Sequence, residues 1–164
     1  MKIAVCPGSF DPLTLGHLSI IRRASRLFDK VVVLIMTNSG KTPFFSIDDR
    51  LSFIKRCVSD IKNVTVDSAS GLLADYLKEI GGCAIVKGVR AFSDFEYEFQ
   101  MALANKKINP QVETIFLATD SEQCYLSSTL VREIASLGGD IKGLIPDEIL
   151  EDVTNAFRRN IYDR

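Results

Sequence analysis

Five short aliphatic runs, spread along the whole chain, restrict what this sequence can fold into more than any other feature. "KIAVC" (2–6), "KVVVLIM" (30–36), "NVTVD" (63–67), "CAIVK" (83–87) and "ETIFLA" (113–118) are of strand length and rich in Val and Ile. The nearly continuous apolar runs suit strands covered on both faces of a parallel sheet. Segments of helical period lie between them. Ile20, Ile21, Ala24, Leu27 and Phe28 mark one apolar face, with Arg22, Arg23 and Arg26 opposite. Ser46 with Asp48 and Asp49 reads as the N-cap and acidic first turn of a helix to about residue 61. "GLLADYLKEIGG" ends on glycines suited to a helix C-terminus. Phe92, Phe95, Phe99, Ala102 and Leu103 form the stripe of a fourth helix, Leu130, Ile134 and Leu137 that of a fifth, and Pro146 is placed to start a last one. Strand and helix alternate throughout, so right-handed crossovers predict a doubly wound, Rossmann-like α/β fold with a five-stranded parallel sheet. No repeat or linker interrupts the pattern, and residues 1–164 read as a single domain.

Composition narrows the chemistry. The net charge is −1, so no global basic field favours nucleic acid or a membrane surface, and any anion site must be local. The four cysteines, Cys6, Cys57, Cys83 and Cys124, are scattered with no CxxC pair, and the chain has one histidine. A Cys/His zinc site is therefore not expected, no protein metal ligands are assigned, and the thiols read as reduced in a cytoplasmic protein. The apolar run at the N-terminus is too short for a signal peptide, and no run approaches the ~20 residues of a membrane span.

In doubly wound sheets ligands bind beyond the carboxyl ends of the strands, near helix N-termini. Four loops there carry candidate groups. After the first strand, "PGSFDPLTLGHLSI" (7–20) holds the single histidine, His17. Gly8 lets backbone approach a ligand, Pro12 stiffens the turn, and Gly16 permits tight packing at the helix entry. A helix start offers unpaired N–H groups and positive dipole, and His17 there can donate to a phosphate oxygen; it can equally be a satisfied surface residue. Neither a Walker loop nor a GxGxxG fingerprint is present in this stretch. After the second strand, "TNSGKTP" sets Lys41 in a polar loop. After the fourth, Lys87 and Arg90 flank Gly88, with Asp94 and Glu98 on the next helix. The two cations can hold phosphate, or Arg90 can pair with Asp94 or Glu98. After the fifth, Ser127, Ser128 and Thr129 head a helix, either as a generous cap or as a nest for a polyphosphate.

"GSFDPLTLGH" followed by "SSTLVR" resembles the nucleotidyltransferase superfamily, with its (H/T)xGH and S/T-S-x/T-hydrophobic-(R/K) signatures. Thr14 to His17 as TxGH, a lysine after the second strand, "KGVRAFSDFEYEFQMA" and the length resemble, within it, the bacterial phosphopantetheine adenylyltransferases. The resemblance implies a Rossmann-like enzyme that moves the adenylyl group of ATP to 4′-phosphopantetheine, giving dephospho-coenzyme A and pyrophosphate. It implies that Ser9, Phe10 and His17 contact ATP, His17 also stabilising the transition state. Gly88, Val89, Arg90 and Glu98 match further nucleotide contacts. Gln123, Cys124, Tyr125, Leu126, Ser127, Ser128 and Thr129 match the triphosphate loop and helix start. Ser9, Lys41, Leu73 and Lys87 match the pantetheine-phosphate site, and His17, Lys41 and Arg90 are the catalytic candidates. Mg²⁺ is implied with the ATP, as are a homohexamer and feedback inhibition by coenzyme A.

The sequence departs from the family pattern in places. Cys6 stands where tyrosine is commoner, Ser9 where threonine is usual, and Thr129 where a third serine falls. Lys87 replaces an arginine, keeping charge but losing the bidentate fork. Other members of the superfamily, such as nicotinamide-mononucleotide adenylyltransferases and glycerol-phosphate cytidylyltransferases, are rivals; against both stand Thr14 and the "DFEYE" block. A nucleotide-sensing module on the same fold would explain the ATP contacts but not Lys41 and Lys87.

Overall fold

A computed structural model describes residues 1–37, 42–90 and 92–162, with the side chains of 92–94 and 160–162 excepted. Its elements run β1 (Ile3–Gly8), α1 (Leu15–Ser25), β2 (Lys30–Thr37), α2 (Ile47–Cys57), β3 (Val64–Ser70), α3 (Leu73–Ile80), β4 (Ala84–Val89), α4 (Phe92–Ile108), β5 (Glu113–Ala118), α5 (Ser128–Ser136) and α6 (Asp147–Tyr162). The strands form one parallel sheet in the order β3-β2-β1-β4-β5. The doubly wound architecture expected from the alternating runs is the one observed.

Side-chain alternation along each strand divides the interior into two cores. Ala4 and Cys6 of β1, Val31, Val33 and Ile35 of β2, and Val86 of β4 face a large core closed by α1, α2, α5 and α6. Val5, Val32, Leu34 and Ile85 face the other way, onto a smaller core closed by Leu77 of α3 and by Val112. Burying each such aliphatic side chain contributes ~1.5–3 kcal/mol. The two faces are therefore covered unequally. Phe95, Phe99 and Leu103, the expected inward stripe of α4, are instead 39%, 45% and 57% exposed. Phe95 packs on Phe99 and edge-on to Phe116 of β5 rather than into a core.

Element ends differ from those expected. β1 runs on through Pro7 and Gly8, paired with Leu34 and Ile35 of β2, and β3 runs on to Ser70. The helix from Ser46 stops at Cys57 rather than near residue 61, capped at Val58. Leu27 and Leu137 lie past the ends of their helices and are 59% and 82% exposed, so neither belongs to a buried stripe. Between β1 and β4 the chain's winding reverses, and at such a switch point the two strand ends diverge and leave a crevice.

Candidate active site

That crevice is a cleft of about 560 Å³. Its floor is the end of β1 and β4, one wall is the start of α1, and the other is the stretch 123–129 leading into α5. The backbone at its base is unusual. Phe10 has φ of +46°, a left-handed conformation uncommon outside glycine. Its ring lies over Gly8, where a Cβ would stand 2.8 Å from the ring edge, so glycine here seats Phe10. At Gly88 a Cβ would come within 2.8 Å of Ile20 Cγ1, so glycine lets β4 press against α1. Gly16 does not serve tight packing as expected: its nearest neighbours would be Thr14 Oγ1 at 3.6 Å and Gln123 at 3.8 Å, ordinary contacts. It lines the cleft, and what its missing side chain leaves open is space there.

His17 is the third residue of α1, and it is not a free surface imidazole. Thr14 caps the helix, its Oγ1 accepting the His17 N–H at 3.3 Å. In return the Thr14 N–H donates to His17 Nδ1 at 3.1 Å, and Thr14 Oγ1 lies 2.9 Å from the same nitrogen. A ring nitrogen that accepts a main-chain N–H carries no proton, so the neutral ring is protonated on Nε2. Burial, followed by the positive charges of Arg90 and Lys87, lowers the His17 pKa from 6.5 to about 4. At neutral pH the group is a neutral Nε2–H donor lining the cleft, packed edge-on against Phe10 at 5.2 Å.

The cations also have definite partners. Lys87 Nζ pairs with the Glu98 carboxylate at 3.1–3.2 Å, both side chains about a quarter exposed. Glu98 is thus bonded to Lys87; the Asp94 side chain lies outside those described. Arg90 reaches the other way, its Nη1 donating to Leu126 O at 2.6 Å. It therefore fastens the end of β4 to the loop before α5.

The three hydroxyls at the head of α5 each make a different bond within the chain. Ser127 Oγ caps the helix by accepting the Leu130 N–H at 3.0 Å. Ser128 Oγ donates to Pro12 O at 2.8 Å, tying α5 to the β1–α1 loop. Thr129 Oγ1 receives Arg132 at 3.4 Å. What the helix start still offers an anion is its dipole and first N–H groups.

Of the residues assigned to ATP, Ser9, Phe10, His17, Gly88, Arg90, Glu98, Gln123, Leu126, Ser127, Ser128 and Thr129 line this cleft together. Gln123 Oε1 is buried there with no hydrogen-bond partner among the described residues, an acceptor available to a ligand N–H. Val89 ends β4 between two lining residues, while Cys124 and Tyr125 are exposed on the turn. A second cleft of about 530 Å³ adjoins the first through Ser9, Ser128 and Thr129, and is lined by Met36, Thr37, Thr42 and Pro43 on its far side. Lys87 lines the first cleft, not the second. Leu73 begins α3 and packs against the smaller core, lining neither cleft. Lys41 lies outside the described residues.

Two site residues, Asp11 and Arg50, were not singled out from the sequence. Thr14 is the start of TxGH, and the structure adds its role as the cap of α1. Asp11 and Arg50 gave no local signal, because each acts through a contact distant in the chain: Arg50 Nη1 donates to Ser9 O, and Asp11 accepts from Arg132, the last residue of SSTLVR.

Comparison with known proteins gives the family and the fold. A family model described as cytidylyltransferase-like matches residues 5–134. The chain is 58% identical over 153 residues to a phosphopantetheine adenylyltransferase of Clostridium tetani, covering 93% of this chain and 96% of that one. It is 51% identical over 160 residues to a protein of the same name from Caldanaerobacter subterraneus, covering 98% and 100%. In fold it is similar to a bifunctional NMN adenylyltransferase/ADP ribose pyrophosphatase of Francisella tularensis solved with AMP. There the TM-score is 0.72 at 18% identity, over 98% of this chain and 52% of that one.

Proposed function

We propose a function from one premise: the chain belongs to the cytidylyltransferase-like family, and within it to the phosphopantetheine adenylyltransferases. It transfers the adenylyl group of ATP to the phosphate of 4′-phosphopantetheine, giving dephospho-coenzyme A and pyrophosphate, as one adenylyltransferase domain over residues 1–164. The observation that carries the mechanism is the His17 ring, held neutral and pinned at Nδ1, at the head of a cleft that leads to the α5 N-terminus.

The nucleophile needs no base. A phosphate monoester has a second pKa of about 6, so most of it is dianionic at neutral pH. One of its oxygens attacks the α-phosphorus; that P–O bond forms as the bond to the β-phosphate oxygen breaks, and pyrophosphate leaves. The obstacles are bringing two polyanions together and stabilising charge on the α-phosphate oxygens. His17 Nε2–H is the donor to those oxygens. A neutral donor is well matched here, because Arg90 and Lys87 already supply the positive field. Ser9 and Phe10 line the nucleotide cleft, with Gly88, Val89 and Glu98 along its β4 and α4 side. Arg90 and the start of α5 hold the leaving pyrophosphate, with the 123–129 stretch around the triphosphate.

The acceptor takes the second cleft, which meets the first at Ser9. Lys41 would steer and hold its phosphate, Lys87 would neutralise it from the nucleotide side, and Leu73 would contact the pantetheine arm. Mg²⁺ would enter with the triphosphate, held by phosphate oxygens and water. Among the described residues, the carboxylates that line the clefts are engaged by cations of the chain itself, Glu98 by Lys87 and Asp11 by Arg132. The ion would supply neutralisation of phosphate charge.

The same reading extends to the assembly and its control. The exposed apolar side chains of α4 support a homohexamer. Coenzyme A carries both the pantetheine arm and the adenine nucleotide, so it fits the two adjoining clefts as a feedback inhibitor. The four cysteines are free, in keeping with work in the reducing cytoplasm within coenzyme A biosynthesis.

Pyrophosphate release tests the assignment. With ATP, the chain should turn over 4′-phosphopantetheine at least a hundredfold more efficiently, in kcat/KM, than nicotinamide mononucleotide or glycerol 3-phosphate. Preference for either alternative acceptor, or ATP binding with no turnover of any, would overturn it.

A further inference from the structure

Asp11 is 4% exposed, yet it is a carboxylate, set in the β1–α1 loop that borders the nucleotide cleft. Burial of a charge is costly unless it is paired and hydrogen-bonded, and here every visible partner belongs to a different part of the site. Oδ2 accepts the Phe44 N–H and Oδ1 the Phe45 N–H, each at 2.9 Å. Oδ2 also receives Arg132 Nη1 of α5 at 3.1 Å, and the same nitrogen donates to the Asp11 main-chain oxygen. Arg50, 3% exposed, mirrors this from below, donating to Ser9 O and to Phe45 O. Phe44 and Phe45 are seated in turn on Phe157 and Phe53.

One carboxylate therefore joins three segments. The first is the 9–12 loop leading to His17. The second is α5, whose head borders both clefts. The third is the 42–45 segment, whose Thr42 and Pro43 line the acceptor cleft. We infer that Asp11 and Arg132 form a positioning pair that fixes the acceptor wall relative to the nucleotide wall, so that the two phosphates meet at reacting distance. This rests on the transfer reaction proposed above. Neither residue needs to touch the reacting atoms. In-line attack tolerates little misplacement, and a shift of ~1 Å can cost on the order of 10² in rate.

The pair has a distinctive kinetic signature, because it holds two sites in register rather than building either. Arg132→Met should lower kcat at least tenfold, while calorimetric Kd values for ATP alone and for 4′-phosphopantetheine alone stay within about threefold of wild type. Since a single nitrogen, Nη1, makes both bonds to Asp11, Arg132→Lys should restore most of kcat. Adding Asp11→Asn to Arg132→Met should cost less than twofold more, as expected for two residues acting as a unit. A wild-type kcat in Arg132→Met would overturn the inference. So would a loss of ATP affinity matching the loss of rate, which would make Arg132 a nucleotide ligand, or fully additive losses in the double variant. If Arg132→Met does not fold, the Arg132→Lys enzyme decides: kcat below a tenth of wild type would count against the pair. An inactive wild-type enzyme would instead strike at the transfer reaction itself, so the two failures are separable.

Discussion

At His17 the chemistry on one side of the ring is set by a hydrogen bond on the other. The Thr14 N–H takes Nδ1, and burial together with Arg90 and Lys87 keeps the ring uncharged, so Nε2–H faces the cleft at any pH near neutrality. His17→Gln removes this donor while keeping a polar side chain, and kcat should fall by about 10²-fold or more, the scale of losing one charge-stabilising donor. The same variant tests the pKa. In the folded chain His17 stays unprotonated down to about pH 4, whereas unfolded it gains a proton below 6.5. The unfolded state thus binds more protons across that window, and the residue costs stability as pH falls from 6.5 to 4, with no effect above it. Thermal melts should show wild type losing Tm relative to His17→Gln between pH 7 and 4.5. A constant difference would mean that the ring titrates normally.

Among elements, glycines separate packing from ligand space. Gly88→Ala puts a methyl 2.8 Å from Ile20 Cγ1, between β4 and α1, and should cost about 1–3 kcal/mol in urea unfolding. Gly16→Ala meets only ordinary contacts inside α1, where alanine is the better helix former, so the fold should be at least as stable while ATP affinity drops. Equal destabilisation by both changes would refute this division. The elements themselves were largely legible in the sequence, because fully covered parallel strands leave unbroken runs such as residues 30–36. Their ends were not. Pro7 and Gly8 look like strand breakers, yet β1 continues through them because β2 pairs alongside. That one of the three hydroxyls caps α5 was an open reading, and it is Ser127 that does so, but nothing local to Ser128 announces a bond to Pro12, 116 residues away. The anion-friendly clusters were visible since the winding of the sheet gathers strand ends; the buried ties that hold them in register, Asp11 above all, depend on contacts that no short window contains.

Taken whole, the molecule is lopsided. The face closed by α1, α2, α5 and α6 is deeply buried, whereas α4 leaves Phe95, Tyr97, Phe99, Met101 and Leu103 exposed along its length. Phe95, Phe99 and Leu103 follow one another on a single side of the helix, and exposed apolar side chains so grouped favour association. Light scattering should give six times the 18.2 kDa chain mass, and Phe99→Glu with Leu103→Glu should lower it; a monomeric wild type would contradict the assembly. Since the entire molecule has a single histidine, one spectrum can also interrogate the core of the mechanism. With imidazole-¹⁵N-labelled protein, we expect one neutral ring with its proton on Nε2 from pH 8 to about 5, and an Nε2–H signal that shifts when ATP binds. A ring that titrates near pH 6.5, is protonated on Nδ1, or is indifferent to ATP would contradict it.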